Sequence, residues 1–447
     1  MTDTSSRPIT SNPDSLVMRA YRGIFWDRIK LLKRTGSRHS DIVSTTLGKR
    51  ELVLVNRPEY IHEVLVEQAH KFHKSMEFKF FTRPLLGNGL LLSEDEEHKR
   101  NRKLVAPAFV HRRIRDYAKV MTDYTSRMMA EWKNGDVIDI SREMMRLTLG
   151  ITGKTLFGSD VGNEADDVKQ RLIYLNRYAD EQLRIPFHIP LSWPTPKNIR
   201  VRKAIAGLDD IIYGMIAERR AAKTDAGDLL SMLLLARDED DGTGMTDKQV
   251  RDEAMTIFLA GHETTSNGMS WMWYLLAKNP GVFAELREEV KVLQGKTPTL
   301  DDLPRLPYAL QIFKEALRIY PPAYILTRTP TEDVFIDGYK IKKGAVVMIA
   351  PYLLHRKAEY FPDPEKFDPG RFSPENEKTI PRYAYLPFGA GPRVCIGNQF
   401  AAIEGHLITA MVAQKFSFEL ADFVSVEMEP LITLRPKGGI RVVLKGT

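Results

Sequence analysis

Cysteine is almost missing from this chain: Cys395 is the only one among 447 residues. A lone thiol excludes an internal disulfide, and it cannot build a zinc or iron–sulfur cage unaided. It also suits a reducing compartment. Long hydrophobic runs are missing too, since no stretch reaches the ~18 apolar residues of a membrane span. Residues 1–14 are polar, with no basic stretch leading into an apolar core, so no secretory leader is indicated. Linkers rich in proline or serine are lacking, as are internal repeats. Neither sign of charge dominates. A net charge of +7 is spread over 65 basic and 58 acidic residues. No nucleic-acid recognition motif accompanies it, which argues against a nucleic-acid partner. The expectation is a soluble, cytoplasmic monomer, with a disordered stretch at 1–13 followed by one domain over 14–447. Length alone would allow about three domains, and the 43% hydrophobic content supports a large core.

What is present centres on that cysteine. Residues 388–397 read Phe-Gly-Ala-Gly-Pro-Arg-Val-Cys-Ile-Gly. The glycines let the backbone turn tightly and approach a flat object closely. Arg393, two residues before the sulfur, can meet an anion. A haem offers an iron with an axial position to fill, a flat face and carboxylates. Ile396, Phe400, Ile403, Leu407 and Met411 recur at helical spacing. The sulfur is therefore expected at the start of a helix, where free N–H groups favour thiolate. The plainer alternative is an inert buried cysteine.

Helical patterns dominate from Pro58 to about Leu420, after a helical segment at 15–33 and a strand at 51–55. Strand signals return at 334–336, 345–349, 431–434 and 440–444. The layout is mainly α with a small β-rich region contributed by both ends. Thr246 and Gln249 form a capping-box pattern. The helix they open can run to Lys278, about 48 Å at about 1.5 Å per residue. It carries Gly261 and a cluster of hydroxyl residues that weaken a helix interior. Local cost in a central helix points to a functional site. His262-Glu263 is not a zinc-protease pair, because Ser266 stands where a second histidine is needed. Ser93 and Glu96 form another capping-box pattern. Behind it, His98 and Arg102 lie four apart, able to grip one carboxylate.

The segment 388–397 resembles the haem-ligand loop of the cytochrome P450 family, Phe-x-x-Gly-x-Arg-x-Cys-x-Gly, with Phe388, Gly391, Arg393, Cys395 and Gly397 at its fixed positions. Three other stretches resemble the same family in the same order. Ala260, Gly261, Glu263 and Thr264 match its oxygen-binding motif. Glu315 and Arg318 match its Glu-x-x-Arg, with Arg371 as the later partner. His98 and Arg102 match its His-x-x-x-Arg variant. The resemblance implies a P450 fold with the long helix over a haem b held by Cys395. It implies propionate contacts from His98, Arg102, Arg328 and Arg393. Gly261 would leave room for dioxygen, Thr264 would hydrogen-bond it, and Glu263 would help supply protons. Glu315, Arg318 and Arg371 would form a buried ion network.

Substrate-pocket walls implied by the resemblance include Phe78, Phe81, Leu90, Phe258, Leu259, Ala323, Ile325 and Ile432. They are mostly apolar, so the expected substrate is a lipophilic fatty acid, terpenoid, steroid or polyketide. Arg83 could hold a carboxylate, though a solvated arginine is the simpler reading. The implied activity is monooxygenation: hydroxylation or epoxidation with dioxygen and two electrons. No flavin, nicotinamide or iron–sulfur motif is evident, so a separate ferredoxin or flavodoxin must deliver those electrons. A basic stretch at Lys99, Arg100, Lys103, Arg112 and Arg113 is its expected docking patch. A peroxygenase or isomerase would share Cys395, as would a haem sensor. Neither needs the Glu263–Thr264 pair.

Overall fold

The computed structural model describes residues 10–11, 29–30, 32–33, 41–47, 50–159, 165–184, 189–222, 225–237, 242–421 and 425–446. Its main helices are α1 (Met76–Leu86), α2 (Asp95–Val105), α3 (His111–Ala130), α4 (Ile140–Phe157), α5 (Ala165–Arg184), α6 (Pro196–Ala222), α7 (Leu229–Leu235), α8 (Asp247–Lys278), α9 (Pro280–Val290), α10 (Pro307–Ile319) and α11 (Asn398–Ala413). The strands are β1 (Thr10–Ser11), β2 (Ile42–Leu47), β3 (Arg50–Val55), β4 (Phe72–His73), β5 (Val137–Asp139), β6 (Leu326–Pro330), β7 (Val334–Ile336), β8 (Tyr339–Ile341), β9 (Val346–Ile349), β10 (Phe416–Leu420), β11 (Met428–Pro430), β12 (Leu434–Pro436) and β13 (Arg441–Gly446).

Helix α8 is the axis of the molecule. The expected capping box forms: the Gln249 amide donates to Thr246 Oγ1 at 3.3 Å, and the Thr246 amide donates to Gln249 Oε1 at 2.9 Å. The helix runs 32 residues, and from Thr265 to Leu276 it is buried on every face. A helix buried all round has neighbours on all sides. Here α4, α6, α10, α11 and β10 pack against it.

The strands divide differently from the expectation. A six-stranded sheet, ordered β1-β2-β3-β9-β6-β4, joins the first part of the chain to residues 326–349. It pairs β3 parallel to β9, with Val53 opposite Val347. The C-terminal strands stay out of that sheet: β10 and β13 join β5 in the order β10-β13-β5, and β11 pairs with β12. Residues 431–433, read as strand from sequence, are the turn between β11 and β12. Burial of Leu431 inside that turn mimics the strand pattern. Thr10 and Ser11 pair parallel with Val43 and Ser44. Order thus reaches into the segment expected to lack it, because β2 offers a free edge of backbone donors and acceptors. The remainder of 1–13, most of the helix expected at 15–33, the turn residues 48–49, and parts of the loops at 222–227 and 238–244 lie outside the described residues.

Candidate active site

One cavity of about 450 Å³ lies between α8, α11 and the sheet. It gathers residues far apart in sequence. Phe388, Arg393, Cys395 and Gly397 line its floor, and Gly261, Glu263 and Thr264 of α8 line its opposite wall. His98, Arg102 and Arg328 also line it, as do Phe78, Phe81, Leu90, Leu259, Ala323, Ile325 and Ile432.

The loop that presents Cys395 is held from three sides. The Cys395 amide donates to Phe388 O at 2.9 Å, closing the loop between them. Gly391 has φ +68, and a Cβ there would meet Leu65 O at 1.8 Å, so only glycine fits. Arg102 donates from α2 to Val394 O at 2.9 Å. The sulfur is exposed, but into the cavity. Burial inside the protein pushes the thiol up, while the Gly397 amide and the Arg102 charge pull the other way. This corrects the expectation of a thiolate favoured by a helix start. Helix α11 begins at Asn398, three residues on, and desolvation outweighs the nearby donors. Within α11, Phe400, Leu407 and Met411 are buried and Ile396 and Ile403 pack on the core, as the spacing predicts.

At the cavity edge the basic side chains outnumber the acidic ones. Lys74, His98, Arg102, Arg328 and Arg393 cluster there, and Glu94 is the carboxylate among them. Glu94 accepts from the Lys74 amide at 2.7 Å, pairs with Lys79 at 2.8 Å, and pairs with Arg393. Burial is the main pressure on these groups, and the neighbouring cations add to it. His98 is pushed down to about 4 and Arg328 to about 10, and Lys74 is driven far down. Basic groups in such excess over carboxylates call for anions. Two carboxylates on a flat group would satisfy them, so the residues present fit a haem. Lys74 escaped the sequence reading. Its place in a run of charged and aromatic residues gave no sign that it would line the cavity.

Glu94 explains a second correction. The capping box expected at Ser93 does not form: Glu94 is the N-cap of α2, with no side-chain cap bond, and its carboxylate is committed to the cations instead.

On α8, Thr264 Oγ1 donates to Ala260 O at 2.7 Å and Thr265 Oγ1 to Gly261 O at 3.2 Å. These are the back-bonds expected of mid-helix hydroxyls. The Thr264 hydroxyl keeps its lone pairs free to accept from the cavity side. Both Glu263 oxygens are engaged: Oε2 accepts from Asn176 of α5 at 2.8 Å and Oε1 from Thr433 at 2.7 Å. Neither partner was evident from sequence. Phe258 is corrected: it does not line the cavity. Its ring packs edge-on against Phe157 of α4 at 5.6 Å. Phe258 is buried on the α4 side of α8, while Leu259 lines the cavity. Arg83 is exposed, consistent with a solvated side chain.

The ion network lies behind the floor. Glu315 and Arg318 are both fully buried, with two bonds between them at 2.7 and 2.8 Å. Arg371 approaches Glu315 at 3.5 Å. Arg318 also donates to the carbonyls of His355, Pro364 and Lys366, tying α10 to the chain that leads into the Cys395 loop. His355 accepts from the Leu386 amide at 2.8 Å. Burial pushes it down to about 3, so it stays neutral.

The profile of the cytochrome P450 family matches residues 15–442. Among similar proteins, cyclooctatin synthase of Streptomyces melanosporofaciens is 38% identical over 91% of this chain and 88% of that protein. Cyclooctat-9-en-7-ol 5-monooxygenase of the same organism is 33% identical over 92% of this chain and 90% of its own length. Pentalenene oxygenase of Streptomyces avermitilis is 34% identical over 90% of this chain and 87% of its own.

Proposed function

Because the chain belongs to the cytochrome P450 family, we propose that it hydroxylates or epoxidises a terpenoid, holding haem b through Cys395. Family membership makes it a haem-thiolate monooxygenase that uses dioxygen, electrons from a redox partner and a lipophilic substrate. The observation that carries the terpenoid reading is the cavity wall. The cations that line it gather beside Glu94, at the carboxylate end. The remaining wall is built from Phe78, Leu85, Leu90, Leu175, Leu259, Ile325 and Ile432, among others, with Thr82, Asn176 and Tyr178 as scattered polar groups. No basic side chain stands there to take a fatty-acid carboxylate among the described residues. The relatives' names, which speak of cyclooctatin, cyclooctat-9-en-7-ol and pentalenene, agree with a bulky hydrocarbon substrate.

Haem bound to a thiolate supplies the oxygen-activating and O–O-cleaving chemistry. The chain's own residues do the rest. Lys74, His98, Arg102, Arg328 and Arg393 would hold the propionates. Gly261 presents no side chain to the cavity. Thr264 offers a hydroxyl there, and Glu263 a carboxyl able to pass protons. The apolar wall orients substrate and excludes water.

A separate ferredoxin or flavodoxin is taken as the electron donor, docking on α2 and α3. Lys99, Lys103 and Arg112 are exposed there. The same helix α2 contacts the Cys395 loop through Arg102. Lys103→Glu with Arg112→Glu should slow electron transfer about tenfold at low salt, the difference shrinking as salt screens the encounter. Stopped-flow reduction in two ionic strengths checks this, and equal rates would remove the patch from the reading. Residues 14–447 are read as one monomeric domain, acting in the cytoplasm. Among the described residues no helix is long and apolar enough to cross a membrane.

The deciding experiment is a titration of the ferric protein with pentalenene, cyclooctat-9-en-7-ol and palmitate, followed by turnover with ferredoxin, its reductase and NADPH. A low-to-high-spin shift and oxygenated product with a terpene are expected. A shift and product with palmitate alone would overturn the terpenoid reading.

A further inference from the structure

Glu263 stands in a wall with space on both sides. On one side is the main cavity. On the other is a small pocket of about 20 Å³, lined by Glu263, Asn176, His262, Asn267, Arg435 and apolar side chains. That volume holds about one water, and Glu263, Asn176, Asn267 and Arg435 supply its polar partners. Arg435 is half-buried and pairs with Glu429 at 2.7 Å.

Thr433 fixes which way the carboxylate faces. A hydroxyl has one proton to give. Thr433 gives it to Glu263 Oε1 at 2.7 Å and accepts from Asn267 Nδ2 at 3.1 Å. The direction of the chain Asn267 to Thr433 to Glu263 is therefore set. The turn that carries Thr433 is itself braced: Tyr324 donates to Leu431 O at 2.9 Å, and Trp271 of α8 donates to Leu434 O at 3.1 Å. Ile432 and Thr433 both line the main cavity.

We propose that Thr433 is a positioning residue for Glu263, keeping its carboxyl between the two spaces so that each proton passed toward the substrate cavity is replaced from water on the Arg435 side. The exchange is proton transfer alone: one O–H bond of Glu263 breaks toward the cavity, another forms from the small pocket, and no electrons move. The role rests on the monooxygenase reading for its purpose, but not for its geometry.

The test compares haem-loaded wild type with Thr433→Val, which keeps the shape and removes the hydroxyl, Thr433→Ser, which restores it, and Arg435→Leu. The first readout is the C–O stretch of the reduced carbonyl complex, which needs neither substrate nor turnover and reports polar groups facing the ligand. The second, with pentalenene, ferredoxin, its reductase and NADPH, is the share of electrons lost to peroxide in H2O and D2O. Thr433→Val should move the C–O stretch, raise the peroxide share at least fivefold and double the solvent isotope effect, with pentalenene affinity within twofold. Thr433→Ser should return all three. Arg435→Leu should raise the isotope effect while leaving the C–O stretch in place. Wild-type values of both readouts in Thr433→Val overturn the proposal, as does failure of Thr433→Ser to restore them. If no variant, wild type included, oxygenates a terpene, the substrate reading above fails, and the C–O comparison decides the placement of Glu263 alone.

Discussion

Cys395→Ser should fold, yet lose the reduced carbonyl spectrum of a thiolate-ligated haem and oxygenate substrate at least about a thousandfold more slowly, roughly 4 kcal/mol of barrier. The turn around the sulfur does not depend on it. The Cys395 amide bond to Phe388 O and the Arg102 bond to Val394 O are made by backbone atoms of the loop. What serine removes is the electron-rich donor that favours O–O cleavage. The thiol's environment adds a pH effect. Burial raises it, so the cofactor-free protein holds its proton at neutral pH. Ligation must expel that proton, and affinity for haem should climb about tenfold per pH unit until the thiol titrates. Reconstitution of the apoprotein at several pH values, followed by spectra and turnover, checks both. Retention of the thiolate spectrum in Cys395→Ser would remove position 395 as the ligand.

Arg318→Leu should cost about 3–5 kcal/mol, because it takes the two-bond partner from the fully buried Glu315 and leaves Arg371, at 3.5 Å, as the cation beside it. The pair is fully buried, and Glu315 has further contacts from the Asp368 amide at 3.0 Å and Arg371 at 3.5 Å. Burial already raises the Glu315 carboxyl despite Arg318. Without the arginine it would take up a proton. The loss also releases three backbone carbonyls between His355 and Lys366, so haem retention should fall together with stability. The double variant Arg318→Leu with Glu315→Leu should recover part of the loss, since apolar replacement of a buried pair is often tolerated. Denaturant unfolding and haem release measure the two effects. A single variant within about 1 kcal/mol of wild type would mean the pair is dispensable.

Much of the site was legible before the fold. The Cys395 loop, the Ala260–Thr264 stretch, His98 with Arg102, and Glu315 with Arg318 are local spacings, and a local spacing survives any packing. The limits of α8 were equally plain, because its cap and its Asn279-Pro280 stop are written in adjacent residues. The misses share a cause. Phe258 reads as a wall residue next to Leu259, but the direction each faces depends on what α4 brings to the other side. Ser93 looks like a cap, but Glu94 took the position while serving the buried cations. Lys74 is an ordinary surface lysine by type, and only the meeting of β4, α2 and the Cys395 loop sets it on the cavity wall.

Residue order along the chain determined the identity of the sulfur donor, the acid and the alcohol, since each is a matter of side-chain chemistry at short range. Long-range packing decided which groups surround them: the cation cluster that awaits carboxylates, the apolar wall opposite, and the grip of Asn176 and Thr433 on Glu263. Those partners come from segments 87 and 170 residues distant. No local pattern encodes such a meeting, because it depends on how α5, α8 and the 431–433 turn close around one space.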